Sequence, residues 1–488
     1  MMLLKMVERS IGLVSTLILA RVLTPADFGL VAMAMSVVGL TELMGAFGFD
    51  VAIIQNQNAE RKHYDTAWTF NVLFGAITAL VLVGLSYAAA LFYKEPRLLY
   101  MLPVLAVGAL IGGLENIGTV NFRKDMDFKK EFRFLFFKRI ATFVITISMA
   151  FVFRSYWALI IGIVSGRLFS VAISYILHSY RPKFSLAASA EFFHFSKWLF
   201  LSNLVLFIQN KCDSFVLGRS IGARDLGLYN VSAEIAAMPS TELIAPINRA
   251  VFPAYSKLSV DLPALRQKFH SVFGLIAVLC LPIALGLVCV ADLAVSVMLG
   301  EQWKDAVPLI RIFAVSGLAS AIQSNLILVI VACGQPKLNT VRNALMLVLY
   351  LPALVVGSVY YGTHGAAWVH FTMSIIALIP LHFVFLHIVQ MRFSEYCADI
   401  WRPATAALAM AIVVFASRYF SPAALGALPP LLQLIIYALE GAVMYSGFLI
   451  LLWRMSGGNP DATEATVINM IAARTKWQFL GQFARGKI

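Results

Sequence analysis

"LILARVLTPADFGL", Leu17 to Leu30, returns in worn form as "FVLGRSIGARDLGL", Phe215 to Leu228. A shift of 198 positions, the spacing from Leu19 to Leu217, also aligns Arg21 with Arg219, Asp27 with Asp225, Gly29 with Gly227 and Leu30 with Leu228. Each copy ends one apolar run and opens the next. Pro25 and Gly222 interrupt a helix, while Asp27 and Asp225 can accept hydrogen bonds from the free N–H groups of the helix that follows. The phrase reads as a corner between two helices, used twice. Arg21 and Arg219 read as interfacial anchors, with direct substrate contact as the alternative.

The rest of the chain says which medium holds those helices. With 60% hydrophobic and 13% charged residues over 488 positions, there is too little polar surface for a soluble globule. Apolar runs long enough to cross a hydrocarbon core recur throughout, at about 7–23, 28–50, 66–92, 98–121, 134–153, 156–178, 196–218, 227–251, 271–291, 306–332, 339–361, 364–388, 401–420 and 429–453. Lipid requires every backbone group to be satisfied locally, so the expected fold is all-α, a polytopic membrane protein of about fourteen transmembrane helices. Lys5 and Arg9 before the first run resemble a secretory signal, but no hydrophilic mature domain follows, so the run is read as a retained helix.

Charge orients the helices, because loops kept in the cytoplasm carry the Lys and Arg excess. Placing both termini inside puts Arg61, Lys62, the dense run "FRKDMDFKKEFRFLFFKR" at 122–139, Arg181, Lys183, Arg249, Lys257, Lys337, Arg342 and Arg454 on one side. The net charge of +13 is then a topology signal with attraction to anionic lipid, and no nucleic-acid partner is expected. The 122–139 run either anchors the cytoplasmic face or gathers pyrophosphate head groups. The five cysteines lack a CxxC spacing, and His382 and His387 are five apart, off the face a helical metal pair would use. No metal and no cofactor are expected.

The shift of 198 residues spans six helices, so both corners face the same side and the duplication is a parallel repeat. The expected organisation is a six-helix bundle at 1–182, a second at 183–390, two further transmembrane helices at 391–455, and a cytoplasmic amphipathic tail at 456–488 whose apolar residues suit a membrane surface.

At this point the residues resemble a known family, the Wzx-type polysaccharide or oligosaccharide flippases and exopolysaccharide exporters of the MOP superfamily. Its marks are "LARVLTPADFGL" at 19–30, "AIIQ" at 52–55, "FYKEP" at 92–96, "CDSFVLGRSIGARDLGLYN" at 212–230, "FPAYSKL" at 252–258 and "LGEQW" at 299–303. The resemblance implies undecaprenyl-pyrophosphate-linked oligosaccharide units flipped from the cytoplasmic to the periplasmic leaflet. It also implies residence in the bacterial inner membrane, two bundles around a central cavity, and polysaccharide polymerase and export partners. Relatives often carry more residues before the first helix, which leaves the role of Arg9 open.

A lipid-linked sugar diphosphate needs a wet, cationic path for its head. A charged residue in mid-helix costs roughly 2.5–3.5 kcal/mol on insertion, so each one is a candidate site facing the interior. On the sixth run Arg167 shares a stripe with Ser170 and Ser174, while Gly162 and Gly166 let a neighbouring helix come close. On the seventh, Asn203, Asn210 and Ser214 share a face, with Lys211 and Asp213 on its flanks. Arg167 and Lys211 are expected to face one cavity and hold the diphosphate, structural ion pairing being the alternative. Asn210, Arg9 and Arg249 complete the candidate substrate-binding set, and Arg139 is a further cationic position. Among the acids, Glu115 follows Gly108 and Gly112 on one face, Glu234 shares a side with Thr241 and Glu242, and Glu42 stands alone on the second run. Glu115, Glu234 and Asp213 are the candidate ion-coupling residues, with neutralisation of buried cations as the alternative. Two rival functions remain: a multidrug or cation antiporter of the same fold, and a membrane polysaccharide polymerase or ligase. The second needs a sizeable external catalytic loop, which the sequence lacks.

Overall fold

The computed structural model describes residues 2–45, 48–420 and 428–457, and their side chains apart from 2–10, 44, 190–202 and 205. The side chain of Arg9 and nearly all of the 456–488 tail lie outside the described residues.

The first corner forms as its sequence dictates. Helix α1 (Met2–Val22) ends where Leu23 and Thr24 intervene, and α2 (Pro25–Glu42) starts with Pro25, whose missing N–H costs nothing in a first turn. Thr24 and Asp27 cap reciprocally, Asp27 accepting from the Thr24 N–H at 2.9 Å. The other Asp27 oxygen accepts the Tyr156 N–H at 2.9 Å, which ties this corner to the distant turn between Phe153 and Trp157. Gln302, from the "LGEQW" phrase, donates to the carbonyls of Ala20 and Leu23, two of the groups left open at the end of α1.

The second corner differs in mechanism. Helices α7 (189–221) and α8 (223–238) are separated only by Gly222, at φ 82 and ψ 177, a conformation essentially reserved for glycine. Among the described contacts Asp225 pairs with Arg224 at 3.7 Å and does not cap the helix, because Gly222 restarts it three residues earlier.

The chain continues through α3 (Arg61–Tyr93), α4 (Leu98–Gly113), α5 (Phe128–Phe153) and α6 (Trp157–Leu177) before α7. Beyond α8, a π turn at Pro239–Ile244 leads into a further helical segment, Ala245–Leu258. Then come α9 (Leu262–Met298), α10 (Val307–Ala332), α11 (336–361) and α12 (363–389) broken at Gly362, α13 (Phe393–Phe420) and α14 (Pro430–Met455). Among the described residues these match the fourteen helices expected. Among the described residues eight helices, with 336–389 taken as one, are long and apolar enough to span a membrane, or nine counting a bent pair. Two of the runs are broken. The second run stops at Glu42 and resumes as a short helix, Phe49–Gln55, and the fourth bends by 64° between Gly113 and Ile117. Gly48 at φ 67 and the buried Asn116, which accepts from the Gly118 N–H, account for those breaks locally.

Contacts divide the chain into two compact units. The first holds Met1–Asn230 with Met298–Gln302 and Ser358–Thr363; the second holds Val231–Val297, Trp303–Gly357 and His364–Ile488. In the first, α3 packs on α4, α5 on α6, α4 on α6 and α1 on α5. Helix α7 belongs here too, through Phe207 against Gly39 and Gly218 against Tyr93. The two copies of the repeated phrase meet in this unit. A β-carbon on Gly29 would lie 1.6 Å from the Ala223 carbonyl oxygen, and one on Gly227 would lie 1.8 Å from that of Pro25. The contact is reciprocal under the same 198-residue shift, backbone against backbone, and leaves no room for any side chain.

In the second unit a core of Tyr255, Phe269, Phe273, Phe385 and Tyr396 is fully or nearly fully buried. Helices α13 and α14 pack on each other and on α9. Arg418 of α13 donates to Asp292 at 2.8 Å, and Asp399 lies 2.6 Å from His270, so both ends of α13 are fastened.

Candidate functional site

Within the first unit, α2 to α6 line an open cavity of about 640 Å³ bordered by Glu42, Asn71, Thr78, Glu115, Lys138, Arg139, Thr142, Arg167 and Ser170 among apolar and glycine residues. Glycines shape it. Gly108 and Gly112 lie against the stem of Arg167, with β-carbon positions 3.5 Å from its Cδ. Across the same helix, Gly162 and Gly166 meet Thr146 and Thr142 of α5, the close approach that their spacing predicts.

Arg167 donates to Glu42, and Ser170 donates to Glu115. Lys138 stands 3.9 Å from Glu115. Arg139 reaches over to Gly12 of α1, where a β-carbon would lie 2.7 Å from its Nη2. Among the described lining residues three cations thus face two carboxylates, leaving one positive charge in excess. The side chains of the Arg167–Glu42 pair remain 27% and 41% exposed, so water screens the pair and a competing anion can reach it.

Of the residues expected from sequence, the cavity brings together Arg167 and Glu115. Lys211, Asn210 and Asp213 are not among its lining residues: Asn210 is exposed, Lys211 is half-buried, and Asp213 accepts weakly from Cys212 and Tyr229 on the α7–α8 side. Glu234 is exposed on α8, and Arg249 is exposed with its Nε donating to the Ala245 carbonyl. Glu42 does not stand alone. Its partner is 125 residues away in sequence, so only the fold joins them. Lys138, absent from the expected substrate-binding set, and Arg139 fall within the 122–139 run, whose last turn dips into the cavity.

The groups just beyond the C-terminal end of α6 are held tightly. Asp65 accepts from the Tyr180 hydroxyl at 2.6 Å and the Lys183 N–H at 2.8 Å, and the Ser185 N–H reaches the Thr69 hydroxyl at 2.9 Å. The linker after α6 is thereby strapped to α3. Burial lowers the pKa of His178 there, consistent with its ring nitrogen accepting the Tyr180 N–H.

A charged cavity among lipid-length helices marks a multi-pass membrane protein, and its family and relatives make it a transporter of polysaccharide biosynthesis and not an enzyme. The chain belongs to the polysaccharide biosynthesis protein family, whose model matches residues 18–308. Among curated relatives it is 25% identical to the lipopolysaccharide biosynthesis protein WzxC of Escherichia coli (strain K12) over 83% of this chain and 84% of that one. It is also 25% identical to the succinoglycan biosynthesis transport protein ExoT of Rhizobium meliloti (strain 1021), over 89% and 88% respectively. In fold it resembles the lipid II flippase MurJ in its inward closed conformation, with a TM-score of 0.73 and 15% identity over 93% of this chain and 98% of that one. An inward-facing multidrug resistance MATE family transporter gives 0.58 at 13% identity, over 79% and 96%.

Proposed function

We propose that the chain carries undecaprenyl-pyrophosphate-linked oligosaccharide units from the cytoplasmic to the periplasmic leaflet of a bacterial inner membrane, by alternating access and with ion coupling. The observation that carries this reading is the cavity in which Lys138, Arg139 and Arg167 outnumber Glu42 and Glu115. A diphosphate is the cargo group that such an excess of donors suits, because charge-assisted hydrogen bonds to guanidinium and ammonium groups are the strong ones. The relatives in lipopolysaccharide, teichuronic acid and succinoglycan biosynthesis support a glycan cargo.

In this reading Arg167 takes the diphosphate, releasing Glu42. Lys211, Asn210, Arg9 and Arg249 serve further points on its path. Glu115, Asp213 and Glu234 take up and lose the coupling ion, Glu115 responding to how closely Lys138 attends it. Residues 1–182 and 183–390 are the halves that move, 391–455 is carried with the second, both termini are cytoplasmic, and a polysaccharide polymerase receives the product. Replacing Arg167 or Lys211 by Ala will stop glycan export at unchanged protein level and build up lipid-linked units on the cytoplasmic side. Arg167→Lys or Lys211→Arg will keep part of the export. Normal export by both Ala variants overturns the assignment.

A further inference from the structure

The second unit holds a cation that the cavity above does not use. Arg342 lies two turns into α11, with Asn339 and Asn343 on the same side of the helix. Its Nη2 donates to the Asn343 side chain at 2.7 Å. Its Nε and Nη1 are buried and, among the described residues, make no hydrogen bond; neither does the buried Asn339 Oδ1 one turn earlier. The chain carries no Asp or Glu between Asp305 and Glu395, so α10, α11 and α12 have no acid to offer.

A guanidinium does not shed its proton to escape such a place. A buried charge without counter-charge is strongly unfavourable, and chains retain one where an anion meets it during function. We propose that Arg342 forms a second phosphate-oxyanion site, in the second unit, with Asn343 holding the guanidinium in position. The proposal rests on the reading of an anionic, lipid-linked cargo and adds a subsite to it. The oxyanion comes from the cargo diphosphate or from an anionic lipid head group.

The test uses the purified full chain in detergent and reads thermal unfolding by tryptophan fluorescence, with inorganic pyrophosphate or phosphatidylglycerol as probe and phosphatidylcholine as control. Pyrophosphate will raise the Tm of the wild type by a few degrees, and Arg342→Gln will lose that rise. Without probe, Arg342→Gln will unfold at the same temperature as the wild type or higher, because an uncompensated cation has been removed; a structural arginine gives the opposite sign. Arg342→Lys keeps the charge but not the planar donor set and will lose at least half the rise, which settles the matter if the Gln variant does not accumulate. A rise with phosphatidylglycerol alone that still depends on Arg342 assigns the oxyanion to lipid. A probe effect equal in wild type and both variants, or a fall in unprobed Tm for Arg342→Gln, overturns the site. Arg167→Ala will keep the Arg342-dependent rise, so loss of the first-unit assignment is separable from loss of this one.

Discussion

Glu42 shows what a single residue can and cannot reveal. In sequence it is a lone acid near the end of an apolar run; in the fold it is the counter-charge of Arg167. The pair is half-exposed, so its worth is modest, about 1 kcal/mol. Glu42→Gln will lower stability by that order, and adding Arg167→Gln will recover part of the loss, since the second change removes the orphaned cation. A strictly additive double variant, measured by thermal unfolding in detergent, would mean that the two side chains are not coupled. Arg167 and Glu115 were legible as cavity-facing residues because a charge in mid-membrane is costly unless it faces a polar interior, and the glycines and serines beside them mark that face. Lys138 was not, because it ends a basic run that reads as a cytoplasmic anchor, and only the packing of α5 brings it against Glu115. Lys211 carried the same sequence signal as Arg167, yet it lines no part of the cavity. Helical phase gives the side of a helix and not the neighbour it meets.

At the scale of elements, the duplicated phrase has a packing reason as well as a turning one. The corner chemistry of Thr24, Pro25 and Asp27 was readable from local rules, and the structure realises it as a capping box. The meeting of Gly29 with Gly227 was not, although both glycines stood at matching positions, because a repeat shows that two segments are alike and not that they touch. With the Ala223 and Pro25 carbonyl oxygens at 1.6 and 1.8 Å from where β-carbons would sit, Gly29→Ala and Gly227→Ala each force the helices apart. Each will cost roughly 1–3 kcal/mol, the usual range for overpacking a close contact, and the pair together will cost less than the sum, since one separation serves both. Gly39→Ala, which meets only the rim of the Phe207 ring at 3.0 Å, will be milder. If the two seam variants melt with the wild type, the seam is not a tight contact.

For the whole molecule, hydropathy and charge bias carried the helix count and the all-α membrane fold, because lipid leaves few alternatives. They did not carry the grouping of α7 with the first unit, which follows from Gly39 on α2, whose missing side chain leaves room for Phe207, and from Tyr93 on α3, which stacks on Phe215. The proposed topology requires reporter fusions after Gln390 and at the C-terminus to read cytoplasmic and one after Tyr361 to read external; an external C-terminus breaks the parallel-repeat account. The central claim is that a cationic cavity in the membrane moves a glycan diphosphate, and transport by the purified protein tests it most directly. In proteoliposomes loaded with a lipid-linked oligosaccharide, the wild type is predicted to move the head group across the bilayer, read as its becoming accessible to a lectin on the far side. Arg167→Ala at equal incorporation is predicted to fall at least tenfold, while Arg167→Lys keeps a measurable fraction. Equal translocation by wild type and Arg167→Ala, or none by the wild type above protein-free liposomes, would contradict the account.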